Sequence, residues 1–227
     1  ATGTNLFHAG LETGYPPELW NVEYPDRVTT LHASFIAAGA DIILTNSFGG
    51  TSFRLKLHQA ENSVNALNLA AAGLARQAAD AADKPVLVAG SMGPTGELFQ
   101  PLGALTADAA EQAFAEQAFA LAEGGADLLW IETMSSLEEV EAAVKGARRT
   151  NLPVAATMTF DTAGRTMMGV TPAAYTEFAT SLGLDAFGAN CGIGPAELLD
   201  SVHKFKHREK NPAVIAKGNC GIPAFVN

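Results

Sequence analysis

The chain has 227 residues with 24 acidic against 14 basic side chains, a formal charge of -10, so a nucleic-acid backbone or a membrane surface is a poor partner and a small molecule a better one. With 48% hydrophobic and 17% charged residues, it has the make-up of one globular domain spanning 1–227. Its 2 cysteines exclude a disulfide framework, no apolar run reaches the roughly 18 residues of a membrane span, and a reducing cytoplasmic setting is therefore expected.

The opening Ala1-Thr2-Gly3-Thr4 carries no methionine and reads as though it began partway through a loop. Asn5 to Asn21, with Gly10, Gly14, Pro16 and Pro17, reads as loop. Pro25 suits a first helical turn, and Val28, Leu31, Phe35 and Ile36 form an apolar stripe that ends at Gly39. Asp41 to Thr45 is a buried parallel strand that ends in Asn46-Ser47-Phe48-Gly49-Gly50, and a long alanine-rich helix follows from about Asn62 to about Ala82.

The same alternation then repeats. Pro85 to Ala89 is a strand ending in Gly90-Ser91-Met92-Gly93, and Thr106 caps a helix to about Glu123. Leu128 to Ile131 ends on Glu132-Thr133-Met134, and Ser136 with Glu139 three places on predicts a capping box. Val154 to Phe160 ends in Asp161, with a helix from Pro172 to Ser181 behind it. Leu184 to Ala189 delivers Asn190 and Cys191, a helix runs from Ala196 to about Glu209, and Ala213 to Ala216 ends at Lys217-Gly218-Asn219-Cys220.

Strand and amphipathic helix in strict alternation, with polar and glycine-rich residues at each strand's C-terminal end, predict an α/β fold of the (β/α)8 TIM-barrel type. A doubly wound open sheet is the alternative, against which no strand is followed by a glycine-rich phosphate fingerprint. The count is about six strands where a closed barrel has eight. The first and last strands are therefore expected outside the sequence, with an apolar strand before Ala1 and a final one beyond Asn227.

Such a barrel brings Asn46, Ser47, Ser91, Glu132, Asp161, Asn190, Cys191, Asn219 and Cys220 to one mouth. No histidine is expected among them, which argues against a serine or cysteine hydrolase, whose nucleophile needs an imidazole base. His32, His203 and His207 fall in predicted helices, and the last two sit in a basic helix end rather than a metal site. Cys191 is a candidate ligand or nucleophile, with plain core packing as the competing reading. Glu132 brings a carboxylate to the end of an apolar strand, where it can recognise a substrate ammonium or serve in a salt bridge. Trp130, on the same face, reads as barrel filling.

Taken in order, the segments Ala1-Thr2-Gly3-Thr4, Thr45-Asn46-Ser47-Phe48, Gly90-Ser91-Met92-Gly93-Pro94-Thr95-Gly96, Ile131-Glu132-Thr133-Met134, Gly164-Arg165-Thr166 and Gly188-Ala189-Asn190-Cys191 resemble the homocysteine S-methyltransferase family over nearly the whole chain. The resemblance implies a barrel that holds one zinc ion through three cysteines. Cys191 matches the first ligand, and the other two are expected beyond Asn227. Cys220 resembles a position where the family usually has alanine, so ligation is not carried onto it.

The resemblance further implies methyl transfer to the thiolate of homocysteine, giving methionine, with Glu132, Ser91, Asn46 and Asn190 as substrate-binding residues and zinc activating the thiol. The donor expected is betaine or a related onium compound, and Tyr15, Trp20, Tyr24, Phe48 and Phe99 are available for an aromatic cage, or equally for loop packing. No cobalamin-binding motif is present, so methylcobalamin would arrive on a separate cobalamin-binding protein. The rival reading is a homocysteine-binding subunit of a multi-protein cobalamin-dependent methionine synthase. The oligomeric state, homo-oligomer included, stays open.

Overall fold

In the computed structural model, which describes residues 2–205 and 212–219, each apolar run becomes a strand. They are β1 Ile42–Leu44, β2 Leu87–Met92, β3 Leu128–Met134, β4 Val154–Met158, β5 Ala186–Cys191 and β6 Ala213–Gly218. They form one six-stranded sheet in the order β1-β2-β3-β4-β5-β6, with every pair parallel. Neighbouring parallel strands cannot be joined by a tight hairpin, so each connection needs a crossover, and helices supply them.

Helices α1 Thr2–Leu6, α2 Trp20–Glu23 and α3 Pro25–Ala37 precede β1. Helices α4 Ser52–Lys56 and α5 Val64–Asp80 link β1 to β2; α6 Ala107–Glu123, α7 Leu137–Arg148, α8 Pro172–Leu182 and α9 Pro195–His203 make the later crossovers. Their starts are written in the sequence: the hydroxyls of Thr51, Thr106, Ser136 and Thr171 accept the N–H three residues on, at 3.2–3.4 Å.

Alternation along the strands divides the apolar residues between two faces. Ile43, Val88, Leu129, Ile131, Val154 and Phe187 join the main core beneath the helices, whereas Leu44, Ala89, Leu128, Trp130, Ala155, Ala186 and Ile215 form a second cluster drawn from all six strands. One cluster spanning six strands requires the sheet to curl around it. A side-chain pair gives the same result: Lys217 of β6 lies 2.9 Å from Glu132 of β3, although three strand spacings in a flat sheet measure about 14 Å. The architecture is an α/β half-barrel. Among the described residues no strand pairs with the outer edge of β1 or β6, so six strands are observed where the sequence pattern predicts eight.

The structure amends several local expectations. The segment expected as loop before Asn21 carries α1, the start of α2 and two 3-10 turns, Phe7–Ala9 and Pro17–Leu19, because Gly10 closes a turn at φ 98° and proline opens another. Strands β2, β3 and β6 run further than their apolar cores, so Ser91, Glu132 and Lys217 lie within strands rather than after them. The capping box is half made: Ser136 caps α7, but the Glu139 carboxylate instead accepts the backbone N–H and hydroxyl of Thr95 at 2.8 and 2.7 Å. No helix of the described residues is long and apolar enough to cross a membrane.

Candidate active site

At the C-terminal edge of the sheet a cavity of about 540 Å³ opens, and Asn46, Ser91, Glu132 and Cys191 all line it. Strands β1, β2, β3 and β5 each contribute, directly or through the residues that follow them, which is where a parallel curled sheet concentrates its chemistry. Asn190 is buried behind the wall, and Asp161 faces a neighbouring cavity instead.

Cys191 ends β5 with a left-handed backbone, φ 59°, and Thr133 near the end of β3 is likewise left-handed at φ 66°. For a cysteine and a β-branched threonine this conformation costs roughly 1–3 kcal/mol each, so surrounding bonds must hold it. Asn190 does so. Its Oδ1 accepts the Thr133 N–H at 2.9 Å, and its Nδ2 donates to Thr133 Oγ1 at 2.7 Å and to Cys191 Sγ at 3.1 Å. Thr133 Oγ1 stands 3.7 Å from the same sulfur. Both of the amide's N–H donors are thus spent around the thiol, and Asn190 positions Cys191. Asn219, expected at the mouth, donates to the Gly192 carbonyl and closes the loop behind the cysteine.

Glu132 is buried, and its two oxygens have separate partners: Ser91 Oγ donates to Oε1 at 2.5 Å, and Lys217 donates to Oε2 at 2.9 Å. Lys217 also lies 5.7 Å from the centre of the Trp130 ring, and Trp130 Nε1 donates to Thr157 Oγ1 at 3.0 Å. The barrel-filling tryptophan therefore doubles as a platform for a lysine whose role the sequence does not reveal, since Lys217 merely follows an apolar run.

Asn46 lines the cavity, but its side chain ties the N-terminal segment to the sheet, donating to the Pro17 carbonyl at 2.7 Å and to Asn21 Oδ1 at 3.0 Å. Asn21 returns a bond to the Asn46 carbonyl at 2.8 Å. Held this way, the segment brings in Glu18, a buried carboxylate whose Oε1 accepts the Gly49 N–H at 2.6 Å. Burial pushes its carboxyl above the usual range, opposed by that hydrogen bond and by the Arg54 charge. Arg54 and His58 also line the cavity. The expectation of a mouth without histidine is thus corrected: His58, in the turn that follows the short helix α4, missed in the sequence, lies at the rim. No hydrogen bond joins His58 to Cys191 among the described residues, so a thiol–imidazole pair is not formed.

The aromatic cage does not assemble around one point. Tyr15 and Phe48 line the cavity and Phe99 lines its neighbour, but Trp20 is buried in a separate cluster and packs against Tyr24, with Arg27 stacked on both rings. His32 is fully buried in α3 with neither ring nitrogen hydrogen-bonded. His203 closes α9, while His207 and Cys220 lie outside the described residues.

Zinc needs about four ligands, and the described residues offer Cys191 as their one thiol and no group of three or more His, Cys, Asp or Glu side chains that could hold a metal ion. By themselves the described residues do not make such a site.

The comparisons with known proteins agree with this geometry. The homocysteine S-methyltransferase family model matches residues 1–227. Methionine synthases of Mycobacterium tuberculosis and Mycobacterium leprae are 32% and 31% identical over 217 residues, covering 92% of this chain but only 18% of their own length. Among solved structures, the homocysteine methyltransferase MmuM from Escherichia coli superposes in its oxidized form with a TM-score of 0.79 at 23% identity, covering 97% of this chain and 81% of MmuM. Its metallated form gives 0.73 at 23% identity, covering 88% and 75%. At that identity the likeness concerns the fold.

Proposed function

The chain belongs to the homocysteine S-methyltransferase family, and we propose that it transfers a methyl group from an onium compound, such as betaine, to the sulfur of homocysteine, giving methionine. The observation that carries the reading is Cys191. A non-glycine residue is held in a left-handed conformation by Asn190 and Thr133 so that its sulfur lines a cavity of mixed charge beside a buried carboxylate. Strain concentrated at one thiol with dedicated hydrogen bonds is unusual for core packing, and it marks sites where position matters.

The chain's own residues can then be given roles. Glu132, fixed by Ser91 and Lys217, presents a carboxylate to the α-ammonium of homocysteine. Arg54 and His58 at the rim suit the α-carboxylate. The reaction is an in-line displacement: the homocysteine thiol loses its proton, the sulfur lone pair attacks the methyl carbon, and the bond to the onium centre breaks with its electron pair, leaving that centre neutral. No general base is required once the thiol is ionised. Cys191 would be one ligand of a zinc ion, which the described residues alone do not complete, and such a metal would supply homocysteine as thiolate at neutral pH. The half-barrel is correspondingly six strands of a closed (β/α)8 barrel in a cytoplasmic protein.

One observation favours a second reading. The mycobacterial relatives are methionine synthases, and the chain spans less than a fifth of their length, which fits a homocysteine-binding part of a larger cobalamin-dependent system. Purified protein assayed for methionine from homocysteine separates the two, with betaine, dimethyl sulfoniopropionate, S-methylmethionine and methylcobalamin as donors and zinc content measured in parallel. Turnover with an onium donor alone supports the first reading. Turnover only when a cobalamin protein is added supports the second, and no homocysteine binding at all would overturn both.

A further inference from the structure

Strand β1 stops pairing with β2 just short of the site. The register ends at Leu44 opposite Ala89, with a last bond from the Thr45 N–H to the Ala89 carbonyl at 3.0 Å. Strand β2 runs on to Met92, so Ser91 turns its backbone to a side that the backbone of β1 has already left. Ser91 is buried, and a buried peptide group without a partner is costly.

Two hydroxyls take the place of that backbone. The Ser91 N–H donates to Thr45 Oγ1 at 2.9 Å, and the Ser91 carbonyl accepts from Ser47 Oγ at 2.7 Å. Thr45 Oγ1 and Ser47 Oγ are themselves 2.6 Å apart. A carbonyl cannot donate, so the single Ser47 hydroxyl proton goes to Ser91, and the proton between the two hydroxyls comes from Thr45. The bonds therefore close a ring with one direction, from the Ser91 N–H through Thr45 and Ser47 to the Ser91 carbonyl. Gln117 of α6 anchors the Ser47 corner by donating to its carbonyl at 2.7 Å.

Ser91 passes the order on. With its backbone clamped at both ends, its own hydroxyl proton goes to Glu132 Oε1. Thr45, Ser47, Ser91 and Glu132 all line the first cavity, and the protons of the three hydroxyls are committed within this wall. To a ligand the four side chains offer lone pairs alone. A group that brings several N–H donors fits such a wall, whereas a group that must itself accept does not. A primary ammonium brings three. Thr45 makes no hydrogen bond to Glu132 among the described residues, so its influence on the carboxylate runs through Ser91.

We propose that Thr45 is a positioning residue for the ammonium of homocysteine. Its hydroxyl closes the ring that fixes Ser91, and Ser91 in turn holds Glu132 with its proton already given, so the wall selects thiols that carry a primary ammonium. The assignment rests on the methyl-transfer reading above and adds a residue which that reading does not use. Removing the Thr45 hydroxyl leaves the Ser91 N–H without an acceptor and Ser47 without its donor, and the Ser91 hydroxyl is then no longer aimed at Glu132.

The test is calorimetric titration of the full chain with L-homocysteine and with 4-mercaptobutyrate, which keeps the thiol and the carboxylate but lacks the ammonium. The parent is expected to prefer homocysteine by about tenfold or more. Thr45→Val keeps the shape and is expected to weaken homocysteine by about tenfold while 4-mercaptobutyrate stays within about twofold, so the preference collapses. Thr45→Ser restores the hydroxyl and is expected to return the preference to within about twofold of the parent's. Ser47→Ala opens the ring at its other corner and is expected to shift the preference the same way, which keeps the test decisive if Thr45→Val does not fold. An unchanged preference in the ring-opening variants, equal losses for both ligands, or no rescue by Thr45→Ser overturns the assignment. A parent that binds homocysteine no better than 4-mercaptobutyrate overturns it too and leaves the methyl-transfer reading standing, whereas a parent that binds neither removes both.

Discussion

Lys217 on β6 and Glu132 on β3 are three strands apart in the sheet, yet their side chains meet at 2.9 Å across its concave face. The pair is a strut across the curl, with the carboxylate 8% and the lysine 32% exposed. Removing the cation alone leaves a buried carboxylate with only Ser91 as partner. Truncating one member of a fully buried pair costs about 3–5 kcal/mol, and partial solvation of Lys217 lowers that, so Lys217→Met is expected to destabilise by about 1–3 kcal/mol. Urea unfolding reads the change. An unshifted midpoint would mean that water replaces the lysine at no loss.

Glu132→Gln keeps the shape and the Ser91 contact but removes the charge. If the carboxylate receives the homocysteine ammonium, KM for homocysteine rises by the equivalent of about 1.5–3 kcal/mol, the worth of a charge-assisted bond, with zinc content unaltered. A KM equal to the parent's would assign Glu132 to the strut alone.

Asn190 and Cys191 make separable predictions. Cys191→Ala is expected to abolish stoichiometric zinc and methyl transfer while circular dichroism stays near the parent's, since the side chain is only half-buried. Asn190→Ala leaves the Thr133 N–H without its acceptor and frees the thiol, at a cost of about 1–3 kcal/mol for an unmade buried bond. Cys191 should then alkylate with iodoacetamide at an altered rate. A variant with parental stability and parental alkylation would show that the amide does not hold the sulfur.

Strand order, crossovers and helix caps were legible because each has a local cause: apolar runs of strand length, Thr or Ser before a helical pattern, and glycines after each strand. That Cys191, Glu132 and Ser91 come together at one edge of the sheet was legible for the same reason, since they are polar residues at strand ends. The roles of Lys217 and Glu18 were not, since each is set by a partner 85 or 31 residues away. Asn46 was expected to meet substrate, and its bonds go to Pro17 and Asn21, because nothing local records where the N-terminal segment packs. Helix α4 was missed at five residues, too short to show a period, and His58 at the rim was missed with it.

His32 gives the chain a pH response unrelated to its site. Burial without any hydrogen bond lowers its pKa from 6.5 to about 4, so between those values the unfolded chain binds a proton that the folded chain refuses. Stability is therefore full above about pH 6.5 and falls as pH drops towards 4, by up to about 3 kcal/mol. His32→Leu should flatten that part of the profile in thermal melts taken from pH 7 to pH 4. An unchanged slope would assign the acid sensitivity to other groups.

Two glycines should respond oppositely to the same substitution. A Cβ at Gly188 in β5 would fall far inside van der Waals contact of the Ile215 carbonyl oxygen of β6, an approach that backbone atoms cannot yield to without separating the strands. That pair carries Cys191 on one side and Lys217 on the other, so forcing it apart disturbs the thiol and the Glu132 strut together. Gly188→Ala is expected to cost about 2–4 kcal/mol, more than a typical surface change, and to lower homocysteine affinity. At Gly73, inside α5, a Cβ would meet no atom within 4 Å, so Gly73→Ala should stabilise by about 0.5–1 kcal/mol through helix propensity. Equal effects of the two substitutions on the urea midpoint would show that the close approach of β5 and β6 is not what requires glycine at 188.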